Sequence, residues 1–544
     1  MSAVLDTRAP LGAVPLRTPR AVLPQQRLPP FQRLWHLLLP VVLAALVAVV
    51  HAVGLGSGPG YGDDEGTYVA QAWSLIHQGR LSHYTYWYDH PPLGWIVIAG
   101  WQVLTSGWLH ASTAVEAGRQ FMVVVAAVNA LLLYAVGRRL GLQRWAAALA
   151  VAGWGLSPLA LSYSRMVYLD NVGLAFLLGA VALALTPRRH LWVYAASGLC
   201  LACALLCKET LLLAAPAVAV AVWRGSAGPT RPYCVASFAT TAVLVLAFYP
   251  LFAVLRGELL PGASHVSLIA ALKFQLVGRA STGSPLGPSS GSAALVGRWL
   301  SADPWLLGAG VLAAPVAVVI PRLRVAGLAV ALPVLLSLRP GYLPDPFVIA
   351  LLPFCALIVA GVIDRVVAEV AGWLPRSALT QRVIGLTVVA ALLALLVPAW
   401  LQHDRALAYD RAGTREVAAE QWIQAHVPHD KRILIDDTMW VDLVRRGFNS
   451  KLGVIWFYKV DFTNNLDPSV ARALPDGYRD VDYVVSTPVM RSALDQQAQG
   501  LQQLRAAIRY SRVLTTIGVG TQRIEVRKLA VPPGAPRLPN PVRP

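Results

Sequence analysis

The sequence predicts an α-helical polytopic membrane protein that carries a small α/β domain after its last apolar segment. The 544 residues are 56% hydrophobic and only 14% charged, and their mean hydropathy is +0.54. Long apolar runs recur along the chain, which is typical of membrane-spanning helices. After about residue 402 the composition becomes polar, and helical and strand-like patterns alternate.

Eleven apolar segments are predicted to cross the cell membrane, with the N-terminus in the cytoplasm. They are residues 35–55, 119–137, 145–163, 171–186, 191–207, 210–223, 235–255, 303–320, 325–338, 347–363 and 383–401. In this topology the inner loops hold seventeen Lys or Arg residues and the short outer segments hold five. This bias agrees with the positive-inside rule. It also accounts for the net charge of +18, so nucleic acid is not a predicted partner.

A further apolar stretch, residues 92–109, is predicted to lie along the outer membrane interface. If it crossed, every later loop would change sides and the basic loop 138–144 would face outward. Three tryptophans favour the interface: Trp95, Trp101 and Trp108.

Four regions are predicted. Residues 1–33 form a disordered cytoplasmic tail, and residues 34–401 form the transmembrane domain with outer loops at 56–118 and 256–302. Residues 402–529 form the extracytoplasmic α/β domain, with helices at 411–425 and 494–509 and strands at 432–436, 454–460, 482–486 and 522–529. Residues 530–544 form a disordered Pro-rich tail.

Asp436 and Asp437 follow the first predicted strand of this domain. Such a position suits a functional site in an α/β fold, but it also suits an N-cap for the next helix. We favour the cap.

The first outer loop contains a polar cluster that includes Asp63, Asp64 and Glu65 and ends at Asp89-His90. It is either a solvated loop or part of an active site. The topology places the following chemically capable residues on the outer face: Asp64, Glu65, Asp89, His90, Arg165, Asp170, Lys208, Glu209, Arg339 and Tyr342. The inner loops carry arginine clusters and almost no acids, and this segregation favours an active site.

The acids suit proton transfer. Asp64 can act as a general base for an acceptor hydroxyl, and Tyr68, four residues later, shares its helix face. Asp64 and Asp170 together can bind an acceptor, hold a divalent cation or pair with Arg165. A divalent cation is therefore the one cofactor left open.

The cations suit a phosphate group. Lys208 can hold a phosphate while Glu209 holds the lysine, and Arg339 can contact a phosphate in a bidentate manner. A polyprenyl-phosphate sugar fits this combination, because its lipid stays in the bilayer while its phosphate lies at the outer interface. The predicted partners are this donor, the lipid bilayer and an envelope glycan, lipid or protein acceptor.

Three motifs resemble those of the GT-C superfamily of glycosyltransferases. Asp64-Glu65 with Tyr68 resembles the acidic signature of the first outer loop. His90-Pro91-Pro92-Leu93-Gly94 resembles a motif of the protein O-mannosyltransferases, for which the lipid A aminoarabinose transferases carry a Lys-Pro-Pro-Leu version. Ser164-Arg165 followed by Asp170 resembles the second motif of these enzymes. The resemblance is specific over roughly residues 60–210 and vaguer to about 365.

The resemblance implies a GT-C fold, a polyprenyl-phosphate-linked sugar donor and inversion at the anomeric carbon. It makes Asp64, beside Glu65, the expected base and Asp170 a second essential acid. It also makes Lys208 and Arg339 contacts of the donor phosphate. His90 stands where the aminoarabinose transferases have a lysine.

Two other functions are compatible with a polytopic chain. A transporter or lipid flippase would place ionisable residues near the middle of spans and would show internal repeats, and neither feature is evident. A non-catalytic assembly protein would leave the acidic loop and the His-Pro-Pro-Leu motif without a purpose.

Overall fold

A computed structural model describes residues 30–56, 58–81, 88–187, 190–262, 266–372, 378–461, 468–496 and 501–539. The chain divides into two compact units, residues 1–39 and residues 40–544. In the first unit, the described part is the start of α1 at Pro30. Most of the predicted N-terminal tail, residues 1–29, lies outside the described residues.

The helical region carries α-helices joined by short irregular turns. These helices are α1 (Pro30–Ala52), α2 (Asp63–Gln78), α3 (Leu93–Thr105), α4 (Gly107–His110), α5 (Ala114–Arg139), α6 (Arg144–Leu156), α7 (Pro158–Arg165), α8 (Leu169–Ala184), α9 (Leu191–Cys207), α10 (Ala215–Gly225), α11 (Arg231–Leu255), α12 (Leu268–Lys273), α13 (Gly291–Ala302), α14 (Ala309–Val319), α15 (Arg324–Ser337), α16 (Leu352–Gly372) and α17 (Ala378–Ala408). The 3-10 turns are Glu209–Ala214 and Asp345–Ala350, and the π turns are Phe274–Gly278 and Pro304–Gly308. Each predicted span coincides with a helix or with adjoining helical segments.

Two pairs of consecutive helical segments are sharply bent, one inside the predicted span 145–163 and one at the start of the predicted span 303–320, and their breaks meet inside the helical region. The pair α6 and α7 is bent by 65°, and α13 is bent by 113° from the segment that begins at Pro304. Ser157 caps α7 and Asp303 caps the following turn. Both side chains are fully buried, and the Ser157 hydroxyl donates to the Asp303 carboxylate. One hydrogen bond therefore ties the two breaks together.

Fewer helical segments are long and apolar enough to cross a membrane than the eleven spans that the sequence predicts. Among the described residues, four helical segments are long and apolar enough to cross a membrane, or up to six if each bent pair is one span. The four are Ala114–Arg139, Arg231–Leu255, Asp345–Val370 and Val383–His426. The predicted count of eleven stays a prediction.

The stretch that was predicted not to cross forms two short helices, α3 and α4. The 13 residues of α3 extend about 20 Å, which is shorter than a hydrocarbon core of about 30 Å. Trp95 is fully buried against the protein rather than exposed, so it does not act as an interfacial anchor. The position of this stretch in the membrane stays a prediction.

The C-terminal region forms a five-stranded mixed sheet. Its strands are β1 (Ile433–Ile435), β2 (Val454–Trp456), β3 (Tyr483–Ser486), β4 (Ser511–Ile517) and β5 (Ile524–Leu529), in the order β2-β1-β3-β5-β4. Its helices are α18 (Gly413–His426), α19 (Trp440–Arg445), α20 (Pro468–Ala473), α21 (Pro488–Gln496) and α22 (Gln502–Arg509). β1 pairs in parallel with β2 and β3, whereas β5 pairs antiparallel with β3 and β4.

Most sequence predictions for this region are confirmed. A strand lies inside each of the four predicted strand segments, and β4 is an addition. Asp436 is the predicted N-cap, because its Oδ1 accepts from the backbone N of Thr438 at 3.2 Å. Within residues 530–539 of the predicted tail, the carbonyl of Pro536 accepts from the Tyr478 hydroxyl at 2.9 Å. The disorder of this tail stays a prediction. Residues 540–544 lie outside the described part.

The sheet region packs directly on α2. A Cβ atom added to Gly66 would lie 2.4 Å from the backbone of both Asp437 and Thr438, so only glycine permits this approach. Two turns further along α2, the ring of Trp73 meets that of Trp440 edge-on, with centroids 5.8 Å apart. These contacts place the first turn of α2 under the sheet region.

Gly66→Ala should therefore weaken the packing of the sheet region on α2. The methyl group meets backbone atoms that cannot move aside, and overpacking of this kind costs about 1–3 kcal/mol. The measurement is the thermal unfolding of purified protein, followed by tryptophan fluorescence.

Gly100→Ala is the matched control, because a Cβ atom at Gly100 on α3 meets nothing within 4 Å. Equal melting temperatures for the two variants would contradict the close approach at Gly66.

Candidate active site

The first turn of α2 is held by a buried ion pair. Glu65 Oε2 accepts from the backbone N of Gly62, the residue before α2, at 2.9 Å. Its two carboxylate oxygens also accept from Arg119 on α5, from Nε at 2.8 Å and from Nη2 at 2.7 Å. Neither side chain is exposed. Removing either partner would leave an uncompensated buried charge, which is strongly destabilising.

The same pair fixes the backbone on both sides of α2. Arg119 donates further hydrogen bonds to the carbonyl oxygens of Leu55, Pro59 and Gly60. Glu65 Oε1 accepts from the backbone N of Val167, between α7 and α8, at 2.9 Å. The orientation of α2 is thus set by α5 and by the chain that leads into α8.

A cavity of about 430 Å³ opens beside the start of α2. Side chains reach it from α2, from the loop before α3, from the end of α9 and from the loop after α15. The structure brings together here six of the residues selected from the sequence: Asp64, His90, Lys208, Glu209, Arg339 and Tyr342. Asp64 and Arg339 are exposed towards this space.

Lys208 is the buried cation of the cavity wall. Its Nζ donates to the Tyr68 hydroxyl at 3.2 Å and to His90 Nε2 at 3.1 Å, and it lies 4.0 Å from Asp170 Oδ2. Burial alone would lower the pKa of Lys208, but the Asp170 and Glu209 carboxylates outweigh it and raise the pKa. The ammonium therefore keeps its charge in a largely dry environment.

His90 links this lysine to Glu209. Because an ammonium can only donate, Nε2 of His90 accepts and Nδ1 carries the proton. Nδ1 lies 3.1 Å from Glu209 Oε1 and 3.2 Å from Oε2, so it donates to the carboxylate. Burial alone would raise the pKa of Glu209, but His90 and Lys208 reverse this effect and hold the pKa at about 2. Glu209 is thus anionic and orients His90.

Asp170 and Tyr68 lie behind the cavity wall and act on it through Lys208. Asp170 Oδ1 accepts from Thr210 at 3.5 Å, and Oδ2 has no hydrogen-bond partner among the described residues. Asp64 and Asp170 were the predicted ligands of any divalent cation. Within the described ranges no three His, Cys, Asp or Glu side chains form a metal-ligand cluster.

Besides Asp170 and Tyr68, three other selected residues do not line the cavity. The carboxylate of Glu65 is used by the ion pair and by backbone donors, which positions α2, and its predicted catalytic role stays a prediction. Arg165 is buried and donates to the carbonyl of Val50 on α1 at 3.0 Å, and its predicted contact with substrate also stays a prediction. The carbonyl of Asp89 accepts from Gln275 at 3.1 Å.

Three cavity residues were missed by the sequence interpretation: Gln275, Arg279 and Asp345. Arg279 lies 4.1 Å above the ring of Tyr342, so it adds a cation beside Arg339. Asp345 lies 3.8 Å from Nη2 of Arg298. Asp345 comes only three residues after the selected Tyr342. Its closeness in sequence to a selected residue was a signal that could have identified it. Gln275 and Arg279 lie in the long loop 256–302. The positive-inside rule counts basic residues in short loops only, so it gave no reason to select residues of this loop.

The chain matches no protein-family model and no curated protein, but it matches solved structures. ArnT from Cupriavidus metallidurans bound to undecaprenyl phosphate matches with a TM-score of 0.55 at 16% identity, over 92% of this chain and 99% of ArnT. The oligosaccharyltransferase of Archaeoglobus fulgidus in its apo form matches with a TM-score of 0.53 at 14% identity, over 86% of this chain and 71% of that one. The chain has the GT-C fold.

The GT-C fold extends beyond the motifs that suggested it. The motif resemblance is specific over roughly residues 60–210, whereas the match to ArnT covers 92% of the chain. A share of that size includes much of the sheet region. The predicted GT-C fold is therefore confirmed, and it applies to most of the chain.

A pair of acids lies where α2 meets the sheet region. The carboxyl groups of Asp63 and Asp437 are buried close enough together for the charge of each to act on the other. Asp437 accepts from the Thr67 hydroxyl. Burial raises the pKa of Asp63 to about 6, and burial together with Asp63 raises the pKa of Asp437 well above its usual range.

The packing of α2 against the sheet region should weaken as the pH rises. Both acids have raised pKa values in the folded protein, so their mutual repulsion is absent below the unfolded pKa of about 3.9. The repulsion between the two carboxylates develops as the pH rises through about 6, which is the pKa of Asp63 in the folded protein. Asp437→Asn removes one charge, so its melting temperature relative to wild type should increase as the pH rises from about 5 to about 8.

Asp430→Asn is the control, because Asp430 is exposed and near Lys431 rather than another acid. The difference in melting temperature between Asp430→Asn and wild type should stay constant with pH. If the difference for Asp437→Asn also stays constant, Asp63 and Asp437 do not repel each other as proposed.

Proposed function

We propose that this protein is a membrane glycosyltransferase that moves a sugar from a polyprenyl-phosphate donor to an acceptor hydroxyl or amine at the outer face of the cell membrane. The observation that carries the proposal is the single cavity that holds Asp64 together with the cations Lys208 and Arg339. Transfer from a lipid phosphate needs a base for the acceptor and positive charge for the departing phosphate.

The cavity suits a donor with a lipid tail. Leu276 and Leu336 line it and are 72% and 47% exposed, so apolar surface adjoins the cations. A prenyl chain could follow this apolar edge into the bilayer while its phosphate meets Lys208, Arg339 and Arg279. The structural relatives support this donor class, since the matching ArnT structure is bound to undecaprenyl phosphate. An AglB structure with dolichol-phosphate also matches, with a TM-score of 0.51 at 13% identity over 91% of this chain and 74% of that one.

In the proposed reaction Asp64 takes the proton from the acceptor hydroxyl as its oxygen bonds to C1 of the sugar. The bond between C1 and the phosphate oxygen breaks, and its electron pair leaves with the polyprenyl phosphate. Lys208 and Arg339 stabilise the phosphate charge that develops. Attack from the side opposite the phosphate inverts the anomeric carbon. Asp345, close to Asp64, is suited to hold the acceptor.

The proposed orientation follows from charge. It has a cytoplasmic N-terminus, eleven spans over residues 34–401 and an extracytoplasmic sheet region over residues 402–529. The candidate cavity contains the acids Asp64, Glu209 and Asp345, whereas a cavity at the far end of α8 is lined by arginines. This separation supports an outer face for Asp64 and an inner face for the arginines. A transporter would instead place its ionisable residues in the middle of spans.

Asp64→Asn should lower turnover by about 10²–10⁴-fold while donor binding survives, because the carboxylate acts mainly in the transition state. The measurement is the release of polyprenyl phosphate from a polyprenyl-phosphate sugar by purified protein in nanodiscs, with the envelope acceptor identified from a deletion strain. Asp495→Asn, an exposed position on α21, is the control. Retention of a third of wild-type turnover would remove Asp64 from the role of base.

Arg339→Ala and Lys208→Ala should each weaken donor binding by about thirtyfold or more, since an unpaired phosphate charge costs about 2–5 kcal/mol. The two losses should not be additive, because both cations contact one group. Arg339→Lys should recover part of the loss, since a point charge does not replace a bidentate contact.

The matched control is Arg256→Ala, because Arg256 is an exposed arginine that pairs with Glu258 and does not line the cavity. The measurement is the affinity of each variant for the polyprenyl-phosphate sugar. Near-wild-type affinity in both single variants would move the phosphate site elsewhere.

A further inference from the structure

A second cavity, of about 780 Å³, lies at the far end of α8 from the candidate active site. α8 carries Asp170 in its first turn and ends at Ala184, about 21 Å further along at 1.5 Å per residue. The cations of this cavity are Arg138 and Arg139 at the end of α5 and Arg224 at the end of α10. We call it the basic cavity.

Among the described residues, no acid forms an ion pair with the three arginines of the basic cavity. Arg138 and Arg139 donate to the carbonyl oxygens of Leu142 and Ala182, which orients the guanidinium groups without cancelling their charge. Asp364, the acid that acts electrostatically on Arg138, is already paired with Arg322 at 3.2 Å. In the described ranges no ion pair joins Arg139 or Arg224 to an acid, and Arg324 adds further positive charge near Arg224. The cavity therefore favours an anion.

An apolar groove of about 550 Å³ adjoins the basic cavity. It runs along one face of α5 and one face of α8, and Arg139 lines both spaces. Exposed valines such as Val124 and Val128 form its α5 side. On α8, Gly179 leaves room in the groove, since the nearest atom to a Cβ there is the sulfur of Cys200 at 3.7 Å.

We propose that the basic cavity and the groove together bind one anionic phospholipid. The phosphodiester lies among Arg138, Arg139 and Arg224, and an acyl chain lies in the groove between α5 and α8. Guanidinium groups are suited to phosphate oxygens, and basic pockets between membrane helices on the cytoplasmic side suit anionic headgroups. The shared residue Arg139 places the charged and apolar parts of one molecule next to each other.

Arginines at helix ends often extend their charged groups into water. Such arginines would attract anionic lipids without binding one lipid at a defined site. A built site differs in two respects. Its affinity depends on the arginines that line the cavity more than on others at the same end of the helices, and it depends on the shape of the groove.

The first experiment measures bound lipid by native mass spectrometry of the full chain, with phosphatidylglycerol and phosphatidylcholine as probes. Wild type should retain phosphatidylglycerol in preference to phosphatidylcholine. Arg224→Gln should lower phosphatidylglycerol affinity about fivefold, which corresponds to about 1 kcal/mol for one arginine. Arg365→Gln is the matched control, because Arg365 is exposed, pairs with Glu369 and does not line the cavity.

The second experiment fills the groove without changing any charge. Gly179→Leu should lower phosphatidylglycerol affinity, because the added side chain occupies the place of the acyl chain. Gly153→Leu is its control, since a Cβ atom on Gly153 of α6 meets nothing within 4 Å and this residue does not line the groove.

Three outcomes would overturn the proposal. They are equal retention of the two lipids by wild type, equal losses in Arg224→Gln and Arg365→Gln, or no effect of Gly179→Leu. Displacement of the lipid by soluble glycerol phosphate at equal concentration would instead indicate a phosphate site that does not need the acyl chain, and it too would overturn the lipid assignment.

Discussion

The buried pair of Glu65 and Arg119 is the interaction on which the candidate site depends. It joins α2 to α5, holds the loop before α2 through three carbonyl oxygens and reaches the start of α8 through the backbone of Val167. Both charges are fully buried, so neither partner can be lost without leaving the other unpaired. Asp64 faces the cavity because its neighbour is fixed in this way.

Three consecutive acids at the start of α2 have three different environments. A helix turns by about 100° per residue, so neighbouring side chains point in different directions. Asp63 lies beside Asp437 of the sheet region, Asp64 is exposed to the cavity and Glu65 pairs with Arg119. Two of these acids thus connect α2 to its surroundings, and the one between them stays available for chemistry.

The sequence predicted the positions of the helices and six residues of one cavity, because apolar periodicity and span ends are local signals. The GT-C fold was implied by the resemblance of three short motifs to those of known enzymes. It did not distinguish Asp64 from Glu65 by role, since both are acids in one motif and only the position of Arg119, 54 residues later, separates them. It missed β4, which lies at the edge of the sheet and is largely exposed, so burial left little pattern in its residues. It also missed Arg279, which reaches the cavity only because the long outer loop folds back over Tyr342.

The most direct test of this account is the location of undecaprenyl phosphate bound to the protein in nanodiscs, determined by electron cryo-microscopy. The account predicts phosphate density in the cavity between Lys208 and Arg339, with the prenyl chain leaving past Leu276 and Leu336. Phosphate density among Arg138, Arg139 and Arg224, with none near Asp64 at saturating lipid, would contradict it.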